Sequence, residues 1–195
     1  GDSSHALSIV EPLLDRTRQE VIVRVFPMKK DQEGLDEFWE EAASTVLTHV
    51  CQGKDVAFIT IGDPLLYSTF LYLYRIFRER YPDIPIEVVP GVSSITAAAV
   101  AAGIPLAAAS ERIAILPATF EEEKLRRTLL DFDTVVLMKV NRVFDRVYAL
   151  LGELGLEDRC AFVSRAGTDE EKVTRDLESL VGRKLDYLSL LIVKK

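Results

Sequence analysis

The sequence predicts an α/β fold built as two α/β domains, on three observations. Short β-branched runs alternate with amphipathic stretches along the whole chain. The connections between them are brief, as consecutive α/β elements require. Near the middle, residues 107–110 (AAAS) show neither a helical face nor a strand pattern and read as a linker. The expected domains are therefore 1–108 and 109–195.

The elements follow in order. Residues 21–26 (VIVRVF) are β-branched and stop at Pro27, a strand pattern. Over 35–51 the apolar positions Leu35, Phe38, Trp39, Ala42, Ala43, Val46, Leu47 and Val50 recur at three and four, one helical face, and Gly53 ends it. Residues 56–61 (VAFITI) form the continuous apolar run of a strand buried on both faces of a parallel sheet. A turn through Gly62, Asp63 and Pro64 leads into a helix carrying Leu66, Phe70, Leu73, Tyr74 and Phe77. Residues 85–90 read as a strand and 93–102 as an alanine-rich helix. Beyond the linker come a strand at 112–116, a helix at 121–130 opening on three glutamates, and a strand at 134–140. A helix at 143–154 and strands at 160–164 and 188–193 complete the pattern, with 170–180 open between helix and hairpin.

Composition narrows the function. With 195 residues and 48% hydrophobic against 28% charged side chains, the chain is too apolar for disorder, and no stretch reaches the roughly 20 apolar residues of a membrane span. The first residues show no secretory signal pattern, so a cytoplasmic location is expected. Two cysteines, Cys51 and Cys160, and two histidines, His5 and His49, offer no metal-ligand spacing, so no metal is expected, and both thiols read as ordinary buried or half-buried residues. A net charge of −7 argues against nucleic acid as partner. That charge is uneven: residues 1–109 carry a net −6 and residues 110–195 a net −1, so the second half is the better anion binder.

In open α/β sheets ligands collect outside the carboxyl ends of strands. The turn 61–67 (IGDPLLY) is one such place, with Asp63 open between a helix N-cap and a ligand contact. The turn 89–94 (VPGVSS) is another, where Ser93 and Ser94 could cap the helix or touch a ligand. No GxGxxG, GxxxxGK[ST], GxSxG with a partnering histidine, HExxH or CxxC occurs, so nucleotide hydrolysis, serine hydrolysis and zinc chemistry lack their parts.

The order of these phrases resembles a family. A strand into GDPLLYS, then VPGVSSITAAA with GIPLA soon after, then 135–139 (VVLMK), then a strand into 165–168 (RAGT), is similar to the tetrapyrrole methylases across nearly the whole chain. The phrases GDPLLYSTFLYLY, SERIAILPA, VLMKV, KVTRDL and YLSLLIV are most similar to the precorrin-2/cobalt-factor II C20-methyltransferases. The resemblance implies two α/β domains with the cofactor in the cleft between them, S-adenosylmethionine as methyl donor and S-adenosylhomocysteine as its product. It also implies a small-molecule tetrapyrrole substrate, a homodimer, and neither nucleic acid nor membrane as partner. Members of the family begin with a glycine-rich strand and turn, and the opening residues GDSS do not provide them, so the first domain is expected to lack both.

By the same resemblance the cofactor lies against Ile61, Gly62, Asp63, Leu66, Ser93, Ser94, Met138, Ala166 and Gly167. Met138 reads equally as a core residue. Substrate carboxylates fall to Lys139, Arg142, Arg146 and Arg165, although Arg142 and Arg146 also fit a solvated helix face. Tyr67 is placed with the substrate, while its ring could equally pack on the helix, and no catalytic base is assigned. Methylation at another ring carbon and binding without turnover are the rival readings.

Overall fold

The computed structural model describes residues 4–24 and 32–195. The chain divides into two units, Gly1–Ser93 and Ser94–Lys195. The boundary expected near residue 108 falls inside the second unit, because the helix that precedes it packs on that unit's sheet.

In the first unit, α1 (His5–Val10) is capped by Ser4, whose hydroxyl accepts from Leu7 N at 3.2 Å. Helices α2 (Gln32–Val50) and α3 (Phe70–Arg80) pack through Trp39, Ala43, Leu73 and Phe77, all buried. Trp39 stacks on Tyr72 with ring centroids 5.0 Å apart, an α2–α3 contact that leaves Tyr72 itself exposed. Helix α3 starts at Phe70, so Leu66 belongs to the turn before it.

The segments 56–61 and 85–90, expected as strands, join no ladder among the described residues, and neither do residues 21–24. Val25 and Phe26, the rest of that first expected strand, lie outside the described residues. The physical reason is pairing: β-propensity selects extended backbone, but a strand exists only where a neighbour accepts and donates its hydrogen bonds. The period of two survives at 84–89, where Ile84, Ile86 and Val88 are half-buried and Pro85, Glu87 and Val89 exposed.

In the second unit, α4 (Ser94–Ala102) is followed by β1 (Ile113–Pro117), α5 (Glu122–Asp131), β2 (Thr134–Met138), α6 (Phe144–Leu154), β3 (Cys160–Ser164), β4 (Lys172–Thr174) and β5 (Ser189–Lys194). The five strands form one sheet in the order β1-β2-β5-β3-β4, with β1 and β2 parallel and the other neighbours antiparallel. The ambiguous stretch 170–180 resolves into β4, a hairpin partner of β3, and a 3-10 turn at Glu178–Leu180.

Both faces of this sheet are covered. One carries Val135, Leu137, Phe162, Leu191 and Val193 under α5 and α6, which supply Leu125, Leu129, Val147 and Leu151. The other carries Val136, Ala161, Val163, Leu190 and Ile192 under Ile95, Ala98 and Ala99 of α4. Strand β2 stops at Met138, short of the expected Val140, because Lys139 takes a left-handed φ of 58° and turns the chain into a 3-10 turn.

Candidate functional site

In the first unit two glycine turns lie backbone against backbone. Gly62 has φ 77°, and a Cβ placed on Gly91 would fall 2.2 Å from the Gly62 carbonyl oxygen, so Gly91 admits no side chain. Asp63 fastens the pair. Its Oδ1 accepts from Leu65 N at 2.9 Å and its Oδ2 from Gly91 N at 3.2 Å. Asp63 is thus not the N-cap of the next helix, which begins seven residues later behind Thr69. Around the turn, Ile61, Leu66 and Tyr67 are exposed, Tyr67 with φ 53°. Ser93 is half-buried, and Ser94 is the exposed first residue of α4 in the second unit.

In the second unit, strand register gathers the carboxyl ends of β1, β2 and β3 and the amino end of β5 on one edge. Pro117 is opposite Met138, Met138 opposite Leu190, and Ser164 opposite Ser189. Met138 is half-buried and packs on the α4 side of the sheet, and its carbonyl accepts from Ala118 N at 2.7 Å. Ala166 packs on the same side, and Gly167 N donates to Glu171 Oε2 at 2.7 Å.

The four expected substrate cations divide. Lys139 and Arg142 are exposed and have no ion-pair partner among the described residues. Arg146 instead donates to the carbonyls of Ala118 at 2.8 Å and Phe120 at 2.9 Å, which ties α6 to the loop after β1. Arg165 donates from Nε to Asp186 Oδ2 at 2.7 Å and from its other arm to Glu170, and these carboxylates hold its pKa above the usual arginine value. Asp186 and Glu170 escaped the sequence reading. Asp186 is 21 positions from Arg165, and no local pattern links the two.

Backbone strain marks the same places. Among the described non-glycine residues, positive φ occurs at Tyr67, Ala109, Lys139 and Arg165, and three of these four are residues expected to meet substrate. Among the described residues no three His, Cys, Asp or Glu side chains gather as a metal site would require.

A family model described as tetrapyrrole (corrin/porphyrin) methylases matches residues 1–181. The chain belongs to the tetrapyrrole methylases. The methylase is 36% identical, over its full length and 80% of the relative's, to a probable cobalt-precorrin-2 C(20)-methyltransferase of Methanocaldococcus jannaschii. It is 37% identical, over its full length and 81% of the relative's, to the cobalt-precorrin-2 C(20)-methyltransferase of Salmonella typhimurium. Relatives acting at other carbons match less of it. A probable cobalt-factor III C(17)-methyltransferase of Methanothermobacter thermautotrophicus covers 28% of the methylase, and a cobalt-precorrin-4 C(11)-methyltransferase of Priestia megaterium covers 32%. Among solved structures, a uroporphyrin-III C-methyl transferase from Thermus thermophilus complexed with S-adenyl homocysteine shares the fold, with a TM-score of 0.54 at 21% identity over 85% of the methylase and 74% of that chain.

Proposed function

We propose that this methylase transfers a methyl group to C-20 of precorrin-2 or cobalt-factor II, in cobalamin biosynthesis, with S-adenosylmethionine as donor. The observation that carries the reading is the match, over all of this chain and about four fifths of each relative, to two relatives named for C20 chemistry, against matches over about a third or less of the chain to those named for C17 and C11.

The residues of the turns suit the donor. The stretch from Ile61 to Leu66 combines bare glycine backbone with exposed apolar side chains, which a flat adenine and a sulfonium lacking hydrogen-bond donors both need. We assign Ile61, Gly62, Leu66, Ser93, Ser94, Met138, Ala166 and Gly167 to hold it, with Asp63 keeping the two turns in register. Bound there, S-adenosylmethionine supplies an electrophilic methyl whose departure leaves a neutral thioether. The chain then needs no acid for the leaving group, and its task is alignment and exclusion of water. The proton that C-20 sheds after gaining the methyl passes to a base, for which no residue is assigned.

Lys139 and Arg142, exposed and unpaired among the described residues, take substrate carboxylates. Arg165, already held by Asp186 and Glu170, presents its backbone turn, and Tyr67 contributes its exposed ring. The protein works as a cytoplasmic homodimer; among the described residues no helix is long and apolar enough to cross a membrane. The experiment is transfer of isotopically labelled methyl to anaerobic precorrin-2 and cobalt-factor II, with NMR of the product. Label at C-20 is expected. Label at another ring carbon, or binding of tetrapyrrole with no transfer, overturns the proposal.

A further inference from the structure

Beneath the β3–β4 hairpin the second unit opens a groove of about 850 Å³. Phe162 lies opposite Thr174 and Ser164 opposite Lys172, so these four share the face of the hairpin that forms one wall. The segment carrying Ser179, Arg183 and Lys184 forms the other. A smaller hollow of about 360 Å³ shares Ser164, Lys172 and Asp186 with it and adds Arg165 and Glu170, which pair with each other, extending the groove to the carboxyl edge of the sheet.

The polar groups lining the groove are not in balance. Both of its carboxylates are engaged: Glu171 accepts from Gly167 N, and Asp186 accepts from Arg165 Nε and Leu188 N. Its cations are free. Lys172, Arg183 and Lys184 are exposed and have no ion-pair partner among the described residues. On the floor, Ser164 is 7% exposed, and its hydroxyl has no hydrogen-bond partner among the described residues. The residue is buried but its hydroxyl reaches the groove without a protein partner, so it is free to donate to an acceptor on a ligand held among the cations.

We propose that this groove is a carboxylate-binding subsite that receives acidic side arms of the tetrapyrrole, with Ser164 donating from the floor and Lys172, Arg183 and Lys184 pairing at the mouth. It is separate from Lys139 and Arg142, and it rests on the tetrapyrrole reading above. A carboxylate arm reaching past Arg165 exchanges water for charge-assisted bonds without displacing any existing ion pair. The volume accommodates more than one arm, which suits a macrocycle whose acid groups come in adjacent pairs.

The test titrates the full chain with an octacarboxylic porphyrin, with its octamethyl ester, and with S-adenosylhomocysteine. The triple variant Lys172→Ala, Arg183→Ala, Lys184→Ala changes only exposed residues, and it should weaken porphyrin binding by roughly tenfold or more. Ser164→Ala should weaken it by about fivefold, and should that variant unfold, Ser164→Cys keeps the volume with a poorer donor. Both should bind S-adenosylhomocysteine like the parent, and the ester should bind no variant. A parent that transfers methyl while either variant binds porphyrin unchanged overturns this subsite alone, as does an ester that binds as tightly as the acid. A parent that binds no octacarboxylate overturns the subsite together with the tetrapyrrole reading.

Discussion

Both oxygens of the Asp63 carboxylate are spent on backbone N–H groups, one in its own turn and one 28 positions away in the turn of Gly91. The glycine phrases were legible in the sequence because Gly and Pro mark turns wherever they cluster at strand ends. The bridge was not legible, since it joins turns that only the folded chain brings together. It changes what a substitution tests. Asp63→Asn keeps one acceptor and replaces the other by a donor facing a donor, so the Gly91 turn should separate while α2 and α3 remain packed. Affinity for S-adenosylhomocysteine should fall by roughly tenfold, with little change in the melting temperature. Calorimetry and a thermal melt check it; unchanged affinity would mean that Asp63 only shapes its own loop. Gly62→Val is a poorer probe, because a β-branched residue at φ 77° strains the fold before any ligand is involved. The cysteines show the same limit of local reading. Cys160 is buried, as expected, with its thiol pushed up to about 12 by desolvation, while Cys51, expected to be buried or half-buried, is exposed just past the end of α2.

At the level of elements, every strand expected beyond residue 110 is found, and those expected before it join no ladder among the described residues. Runs such as Thr134–Met138 and 56–61 look alike as sequence, nearly continuous in apolar residues and rich in β-branched ones. The difference is the neighbour: the first is bonded on both sides, the second leaves Val56, Phe58, Ile59 and Ile61 exposed. Pairing partners distant in the chain are invisible to periodicity. The middle place of β5 shows this again, because the last strand in sequence sits between β2 and β3. Leu191 on that strand is fully buried and lies opposite both Leu137 and Phe162. Leu191→Ala should therefore cost about 2–5 kcal/mol in urea unfolding, whereas Val173→Ala on the exposed edge strand β4 should stay within about 0.5 kcal/mol. Equal losses would place the core elsewhere.

For the molecule as a whole, a net charge of −7 has to coexist with acidic ligands, and the sequence located the near-neutral half without revealing how its charges are used. Several of its carboxylates act as fasteners rather than as repulsive surface. At the edge where β1 and β2 begin and β5 ends, Glu111 Oε2 accepts from Lys194 Nζ at 2.6 Å and from Ala108 N at 2.8 Å. Asp133 Oδ2 accepts from Arg112 N at 2.7 Å, and its own carbonyl accepts from Lys195 N at 2.9 Å. The Lys194 ammonium, with the Ala108 N–H, lowers the Glu111 pKa, and the Arg112 N–H lowers that of Asp133. With the folded values below the unfolded ones, the unfolded chain binds more protons in the interval between them, and stability rises with pH there. The contribution is complete above the ordinary carboxylate range near pH 4 and disappears as pH falls through the lowered folded values. The double variant Glu111→Gln, Asp133→Asn removes the ionisation while keeping much of the shape. Its urea midpoint should lie below the parent's at pH 7 and pH 5, and the two should converge between about pH 4 and pH 3 as the parent's carboxylates become protonated. A gap that stays constant across that range would show that these two groups stabilise the edge through shape alone, and that the acid sensitivity of the protein resides in other carboxylates.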